Sequence, residues 1–168
     1  GEKGTQNILD TISDKCKIIF PSTHVVYEGI EKVKNDILED EDTKPILSYA
    51  TSKALNEKQL KNSGKNYIIL RLGSVYGYST DTARIDIMPN LFSKIASQDG
   101  LLKLFAAGRQ VKSLVPLIDV ARCFKYMEER EDISSETFNL TKDKVTVKEV
   151  AKICKKYNPK ITLKETND

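Results

Sequence analysis

The amino-acid sequence predicts an α/β protein, a sheet of parallel strands flanked by helices, and three segments carry that expectation. Lys17-Ile18-Ile19-Phe20 is a short β-rich run that ends in Pro21-Ser22-Thr23-His24, with hydroxyls where a parallel strand would deliver them to its carboxyl end. Asn66 to Leu72 reads Asn-Tyr-Ile-Ile-Leu-Arg-Leu, a continuous apolar run typical of a strand buried on both faces. Between them, Tyr49 to Asn62 reads as a helix that Ser63-Gly64 stops.

The remaining elements follow in chain order. A first helix is expected around Thr5 to Ser13, before the Lys17 strand. Glu28 to Lys44, polar and charged with seven acids against three bases, is the candidate flexible segment joining a strand end to the Tyr49 helix. Gly73-Ser74-Val75-Tyr76-Gly77 reads as a small-residue loop after the Tyr67 strand. Met88 to Gln98 is an amphipathic helix with Leu91, Phe92 and Ile95 on one side, and Gly100 ends it. Val111 to Leu117 is a β-rich run interrupted by Pro116.

Asp119 reads as the N-cap of a helix from Val120 to Glu131, with Val120, Phe124 and Met127 as its inner stripe. Thr137 to Leu140 is a short strand. Thr146-Val147-Lys148-Glu149 is a capping box that opens a last helix, with Val150, Ile153, Cys154 and Tyr157 as core candidates and Pro159 just past its end. Nothing in the chain repeats.

Composition narrows the function classes. At 168 residues the chain can bury about 70% of the surface its unfolded form exposes. It has no run of about 18 apolar residues and no charged-then-apolar leader, so a cytoplasmic protein without a membrane partner is expected. A net charge of +3, dispersed along the chain, does not argue for nucleic acid. The basic stretch from Lys142 to Asp168, eight lysines against four acids, reads as a solvated surface.

Cys16, Cys123 and Cys154 lack C-x-x-C spacing and read as small buried thiols in a reducing compartment. With His24 as the single histidine, neither a Ser-His-Asp set nor a multi-histidine metal cluster can be assembled, and no metal site is expected.

The chemistry-bearing residues sit at Tyr49 and Lys53, four positions apart in Tyr49-Ala50-Thr51-Ser52-Lys53. On a helix that spacing puts both side chains on one face about one turn apart. An ammonium beside a phenol favours the phenolate, and a hydroxyl partner adds to the effect. Such a pair can take a proton off a sugar or alcohol hydroxyl while a cofactor takes the hydride. A Tyr and a Lys at this spacing also occur on solvated helices with no chemical role. The order of the segments around the pair therefore carries the argument.

In that order the chain resembles the extended short-chain dehydrogenase/reductases, in particular the NAD-dependent nucleotide-sugar epimerase/dehydratase family. Gly4-Thr5-Gln6-Asn7 is similar to the family's helix signature, and Ser22-Thr23-His24-Val25-Val26-Tyr27 to its serine/threonine strand end. Tyr49 to Lys53 matches its active-site pair, and Leu70-Arg71-Leu72-Gly73-Ser74-Val75-Tyr76-Gly77 its following strand and loop. Gly108-Arg109-Gln110-Val111-Lys112 through Ile118-Asp119-Val120-Ala121 resembles its nucleotide-contacting strand and the helix after it.

The resemblance implies a partial Rossmann-like parallel sheet over residues 1–78 and a small substrate-binding region over residues 79–168, the two interleaved. It implies Tyr49 as general base, Lys53 as the residue that holds the nicotinamide ribose, and Thr23 bonded to the reacting oxygen, with Ser22 beside the cofactor. His24, Ser74 and Lys112 would face the nucleotide sugar. The implied cofactor is NAD or NADP, and a homodimer is compatible with it.

Departures from the family pattern are equally informative. The eight glycines, at 1, 4, 29, 64, 73, 77, 100 and 108, form no G-x-x-G-x-x-G or G-x-G-x-x-G turn to cradle a dinucleotide phosphate. The chain is therefore expected to be the C-terminal part of a longer enzyme, inactive by itself and binding NAD weakly or not at all. Ser74 stands where the family has asparagine. Lys112 stands where many members have an arginine, and a point charge is a poorer bidentate clamp.

His24-Val25 replaces the Asp-Glu pair of the family's 4,6-dehydratases, so an epimerase is favoured. An NAD(P)-dependent reductase or another dehydratase of the superfamily, or a non-catalytic fragment, are the alternatives.

Overall fold

A computed structural model describes residues 1–31, 34, 36–80 and 84–167. The chain divides into two compact units, residues 1–73 with 120–140, and residues 74–119 with 141–167 among those described.

The first unit is built on strands β1 (Lys17–Thr23), β2 (Asn66–Leu72) and β6 (Glu136–Leu140), all parallel, in the order β1-β2-β6. Helix α1 (Glu2–Thr11) precedes β1, and α2 (Ser48–Asn62) joins β1 to β2, the crossover that a parallel pair requires. Both faces of the sheet are covered. Ile69 packs with Leu9 of α1 and Leu60 of α2, whereas Ile68 and Leu70 pack on Met127, Cys123 and Phe124 of helix α4 (Leu117–Glu129). A strand with helices on both sides buries every side chain, which is why Asn66 to Leu72 is apolar without alternation. The α/β class expected from these runs is the class observed.

Register decides which residues meet. Ile18 pairs with Tyr67, Phe20 with Ile69, Ser22 with Arg71, and Thr23 with Leu72. Because side chains alternate across a strand, Ser22 and Arg71 face α2 and Thr23 faces the other way. Lys17, on that other face, donates from Nζ to the carbonyls of Met127 and Arg130 at the carboxyl end of α4, where a cation is favoured.

The second unit holds a mixed sheet in the order β3-β5-β7, formed by β3 (Ser74–Tyr76), β5 (Val111–Pro116) and β7 (Asp143–Thr146), with β5 parallel to β3 and antiparallel to β7. A two-stranded parallel sheet pairs β4 (Leu101–Leu104) with β8 (Thr162–Glu165). Helices α3 (Met88–Ser97) and α5 (Val147–Tyr157) complete a core of Phe92, Ala96, Leu102, Leu104, Leu114, Val150, Ala151 and Ile161. The capping box of α5 is present, with Thr146 Oγ1 accepting from Glu149 N at 3.2 Å and Glu149 Oε2 accepting from Thr146 N at 2.6 Å.

Several local expectations are corrected. Asp119 is not an N-cap: α4 starts two residues earlier, and Asp119 lies in its first turn, paired with Lys142 at 2.8 Å. Ile153 and Tyr157 are 52% and 83% exposed, because α5 docks through Val147, Val150, Ala151 and Cys154. On α3, by contrast, Leu91, Phe92 and Ile95 do share one side: all three line one cavity, and Phe92 and Ile95 also pack on the core. Gly73 to Gly77 contains a strand, β3, where a loop was expected. Cys16 is exposed, whereas Cys123 and Cys154 are half-buried and burial pushes both thiols up.

The acidic connection is also more tied than its composition suggests. Gly29 N donates to Lys44 O and Lys44 N to Val26 O, both at 2.8 Å, and Glu28 Oε1 accepts from the amides of Ile46 and Leu47. Positions 32, 33 and 35 of that segment lie outside the described residues.

Candidate active site

Helix α2 and the carboxyl end of β1 bring Tyr49, Lys53, Ser22, Thr23 and His24 into one region of the first unit. Tyr49 stands in the first turn of α2 with 57% of its surface exposed. One turn on, the Lys53 ammonium lies 5.9 Å from the centroid of the Tyr49 ring and 4.7 Å from that of Phe20. It donates to the carbonyl of Pro21 at 2.6 Å. Burial of this ammonium lowers its pKa below the ordinary lysine value. The phenol and the ammonium therefore share one face of the helix, and the cation is anchored at the strand end two residues before Thr23.

Thr23 is 6% exposed, and its Oγ1 accepts from Val25 N at 3.3 Å, capping the 3₁₀ turn His24–Tyr27. A hydroxyl that accepts one bond keeps its proton for donation, so capping and chemistry are compatible at this residue. The Nδ1–H of His24 donates to Leu72 O at 2.9 Å, tying the ends of β1 and β2 together.

Ser22, expected beside a cofactor, is 3% exposed and donates its hydroxyl to Glu57. Its position in the strand explains this: the alternation that sends Thr23 to one face sends Ser22 under α2. Its hydroxyl is thus a structural group.

Glu57 in turn meets Arg71, a pair that sequence reasoning did not single out. Arg71 Nε donates to Glu57 Oε1 and Oε2 at 3.1 and 3.2 Å, and Nη2 to Oε2 at 2.7 Å. Arg71 Nη1 donates to the Tyr27 hydroxyl and, at 3.0 Å, to Glu39 O. Tyr27 donates toward Asn139 Oδ1 and Leu38 O, and Asn139 N donates to the Glu39 carboxylate at 2.8 Å. Burial alone would depress Arg71; Glu57 first, through its hydrogen bonds and charge, and then Tyr27 together more than offset it, so the guanidinium is held above its ordinary value. The available signal was an arginine inside a run otherwise apolar, because a buried cation requires a partner.

Ser74 and Lys112 belong to the second unit. Ser74 opens β3 and pairs in register with Leu114. Lys112, on β5, lines a cavity of about 410 Å³ together with Gln110, Lys103, Phe105, Met88 and Leu91. Two ammoniums beside an aromatic ring and aliphatic side chains suit a ligand with an anionic part and a flat apolar part. Among the described residues no group of three or more His, Cys, Asp or Glu side chains could hold a metal ion. Nor is any helix among them long and apolar enough to cross a membrane.

A parallel sheet with helices on both faces, carrying a Tyr-Lys pair on the helix that follows a hydroxyl-bearing strand end, defines a Rossmann-like α/β protein. The NAD dependent epimerase/dehydratase family model matches residues 2–141, and the chain belongs to that family.

Solved structures agree in fold. The UDP-glucuronic acid 4-epimerase of Bacillus cereus, in complex with UDP-glucuronic acid and NAD, superposes with a TM-score of 0.82 at 23% identity, over 99% of this chain and 54% of that one. The UDP-glucose 4-epimerase of Thermotoga maritima, with UDP-glucose, superposes with a TM-score of 0.78 at 26% identity, over 96% and 55%. Pal from Bacillus thuringiensis gives 0.82 at 21% identity, over 98% and 53%. The chain thus spans about half the length of the structures it matches. No match to a curated protein sequence was found.

Proposed function

We propose that this chain is the C-terminal part of an NAD(P)-dependent nucleotide-sugar epimerase, in which Tyr49 moves the proton of a sugar hydroxyl. The single observation that carries the reading is the Lys53 ammonium, half-buried and anchored on the Pro21 carbonyl one helical turn from an exposed Tyr49, in a chain of the epimerase/dehydratase family.

The residues fit the nicotinamide-ribose end of a dinucleotide. An ammonium has three hydrogens, one of which goes to Pro21 O, so two remain for ribose hydroxyls. Bound NAD or NADP would supply the acceptor that takes a hydride from the sugar carbon and returns it. Tyr49, as phenolate, takes the hydroxyl proton as the carbon is oxidised and gives it back when the carbon is reduced from the other face. Lys53 stabilises the ionised tyrosine, and Thr23 donates its hydroxyl hydrogen to the same sugar oxygen. In the second unit, Lys112 would pair with the nucleotide diphosphate in its cavity, with His24 and Ser74 as further sugar contacts. The first unit is then the catalytic half and the second mainly the substrate-binding region.

Tyr49→Phe in the full-length protein tests the reading, with UDP-glucose and UDP-glucuronic acid as substrates. Loss of a general base lowers turnover by about 10² to 10⁴-fold and leaves the circular dichroism spectrum unchanged. Near-normal turnover would remove Tyr49 from the mechanism and the epimerase reading with it.

A further inference from the structure

Helix α2 carries the candidate chemistry in its first two turns, yet its apolar anchor is at the other end. Its buried residues are Ala50, Asn56, Glu57 and Leu60, and Leu60 packs with Leu9 and Ile69. Between the methyl of Ala50 and Leu60 no apolar side chain of the helix is buried. Hydrophobic contact is non-directional and by itself tolerates small slides of a helix along a strand. Directional bonds are needed to set the register of the first two turns.

Two such bonds are present, on consecutive turns of the helix and consecutive residues of the strand. Lys53 donates to Pro21 O, and Glu57, one turn later, accepts from the Ser22 hydroxyl. Arg71 grips the same carboxylate through three contacts from the neighbouring strand, so the acceptor cannot swing away from Ser22. The side chains of Glu57 and Arg71 are 4% and 3% exposed. A buried ion pair of this kind adds little stability over an apolar pair of equal volume, and its effect is therefore felt in orientation. Through Nη1, Arg71 also reaches Glu39 O and Tyr27, holding the chain that leads into α2.

We propose that Ser22, Glu57 and Arg71 are positioning residues that lock α2 in register on the carboxyl end of β1, so that Tyr49 and Lys53 are presented at the strand end that carries Thr23. The catalytic consequence rests on the function proposed above, whereas the geometric one does not.

The test uses the full-length protein with UDP-glucose and NAD as probes, and follows Lys53 separately by NMR titration of isotope-labelled lysine. Ser22→Ala is expected to lower kcat by about ten-fold to a hundred-fold, with KM within about two-fold. Lys53 should titrate closer to the ordinary lysine value as water reaches it. If Ser22→Ala does not fold, Glu57→Met combined with Arg71→Met carries the same test, because an apolar pair of similar volume keeps the packing.

Unchanged kcat and unchanged Lys53 titration, beside a Tyr49→Phe control that has lost turnover, would overturn the positioning role and leave the proposed function standing. A fall in kcat without the lysine shift would likewise overturn it. Normal turnover in the Tyr49→Phe control would overturn the proposed function, and the catalytic part of this inference with it.

Discussion

Replacing Glu57 by glutamine removes one charge from the most buried ion pair of the described residues and leaves the packing volume unchanged. In the parent, Arg71 uses Nε and Nη2 on the carboxylate, at 3.1, 3.2 and 2.7 Å, and its remaining contacts are the neutral Tyr27 hydroxyl and Glu39 carbonyl. In the Glu57→Gln variant one carbonyl oxygen still accepts, but an amide NH₂ now confronts a guanidinium N–H and the carboxylate charge that faced it is gone.

Breaking a buried pair from one side costs about 3–5 kcal/mol, far more than the same loss at a surface. For a protein of this size each kcal/mol moves Tm by about 2–4 °C, so a fall of roughly 10 °C is expected. Thermal unfolding followed by far-ultraviolet circular dichroism measures that fall, and urea unfolding measures the loss in kcal/mol, with an unchanged m-value showing that the transition itself is the same. The paired change Glu57→Met with Arg71→Met should recover the parent stability to within about 1 kcal/mol. A single Glu57→Gln variant within about 1 kcal/mol of the parent would refute the reasoning, since it would mean that water or another anion already compensates Arg71.

Three further outcomes are expected. Ala106 and Ala107 are consecutive left-handed residues, at φ 47° and 53°, where a Cβ is disfavoured by about 1–2 kcal/mol. Ala106→Gly should therefore raise stability by about 0.5 kcal/mol after the entropy of glycine is subtracted, and a loss on thermal unfolding would count against strain at that turn. Thr146→Ala removes the hydroxyl that accepts from Glu149 N and should lower stability by about 1 kcal/mol in chemical denaturation; no change would mean that the cap is already solvated. Burial lowers the pKa of Lys53 from 10.5 in the folded state, so below that folded value both states carry the proton and the buried charge opposes folding. As pH rises from the folded value towards 10.5 the native state sheds its proton first, and the contribution of this group to stability increases. Compared with Lys53→Met, the parent should thus gain relative stability across that alkaline window. A difference that stays flat from neutrality to 10.5 would argue that the ammonium is solvated.

The polar middle of α2 shows how far a pattern can be read. Tyr49 and Lys53 were legible because helical spacing is a local property, whereas nothing local marks Glu57, four residues further, as a buried charge. Only the register of β1 on β2, which sets Ser22 beside Arg71, turns that charge inward. The same limit applies to Ser22, whose hydroxyl points under the helix because of its place in the alternation and not because of its type. Leu91, Phe92 and Ile95 were read as one side of α3, and all three line one cavity, but a spacing of three and four defines a face without saying that Phe92 and Ile95 also pack on the core while Leu91 does not.

By itself the sequence determined the alternation of strand and helix in the first unit, the stop at Ser63-Gly64, the capping box of α5 and the one-turn separation of phenol and ammonium. Each of these depends on residues within about two turns of one another, where propensity and side-chain geometry act without help from the rest of the chain. Tertiary structure decided the rest. Strands β7 and β8 are polar tetrapeptides, Asp-Lys-Val-Thr and Thr-Leu-Lys-Glu, that become strands because β5 and β4 offer them hydrogen-bonding edges. The exposure of Ile153 and Tyr157 and the meeting of Ser22, Glu57 and Arg71 likewise depend on long-range pairing, and the energy of such a pairing is a property of two segments that neither segment encodes alone.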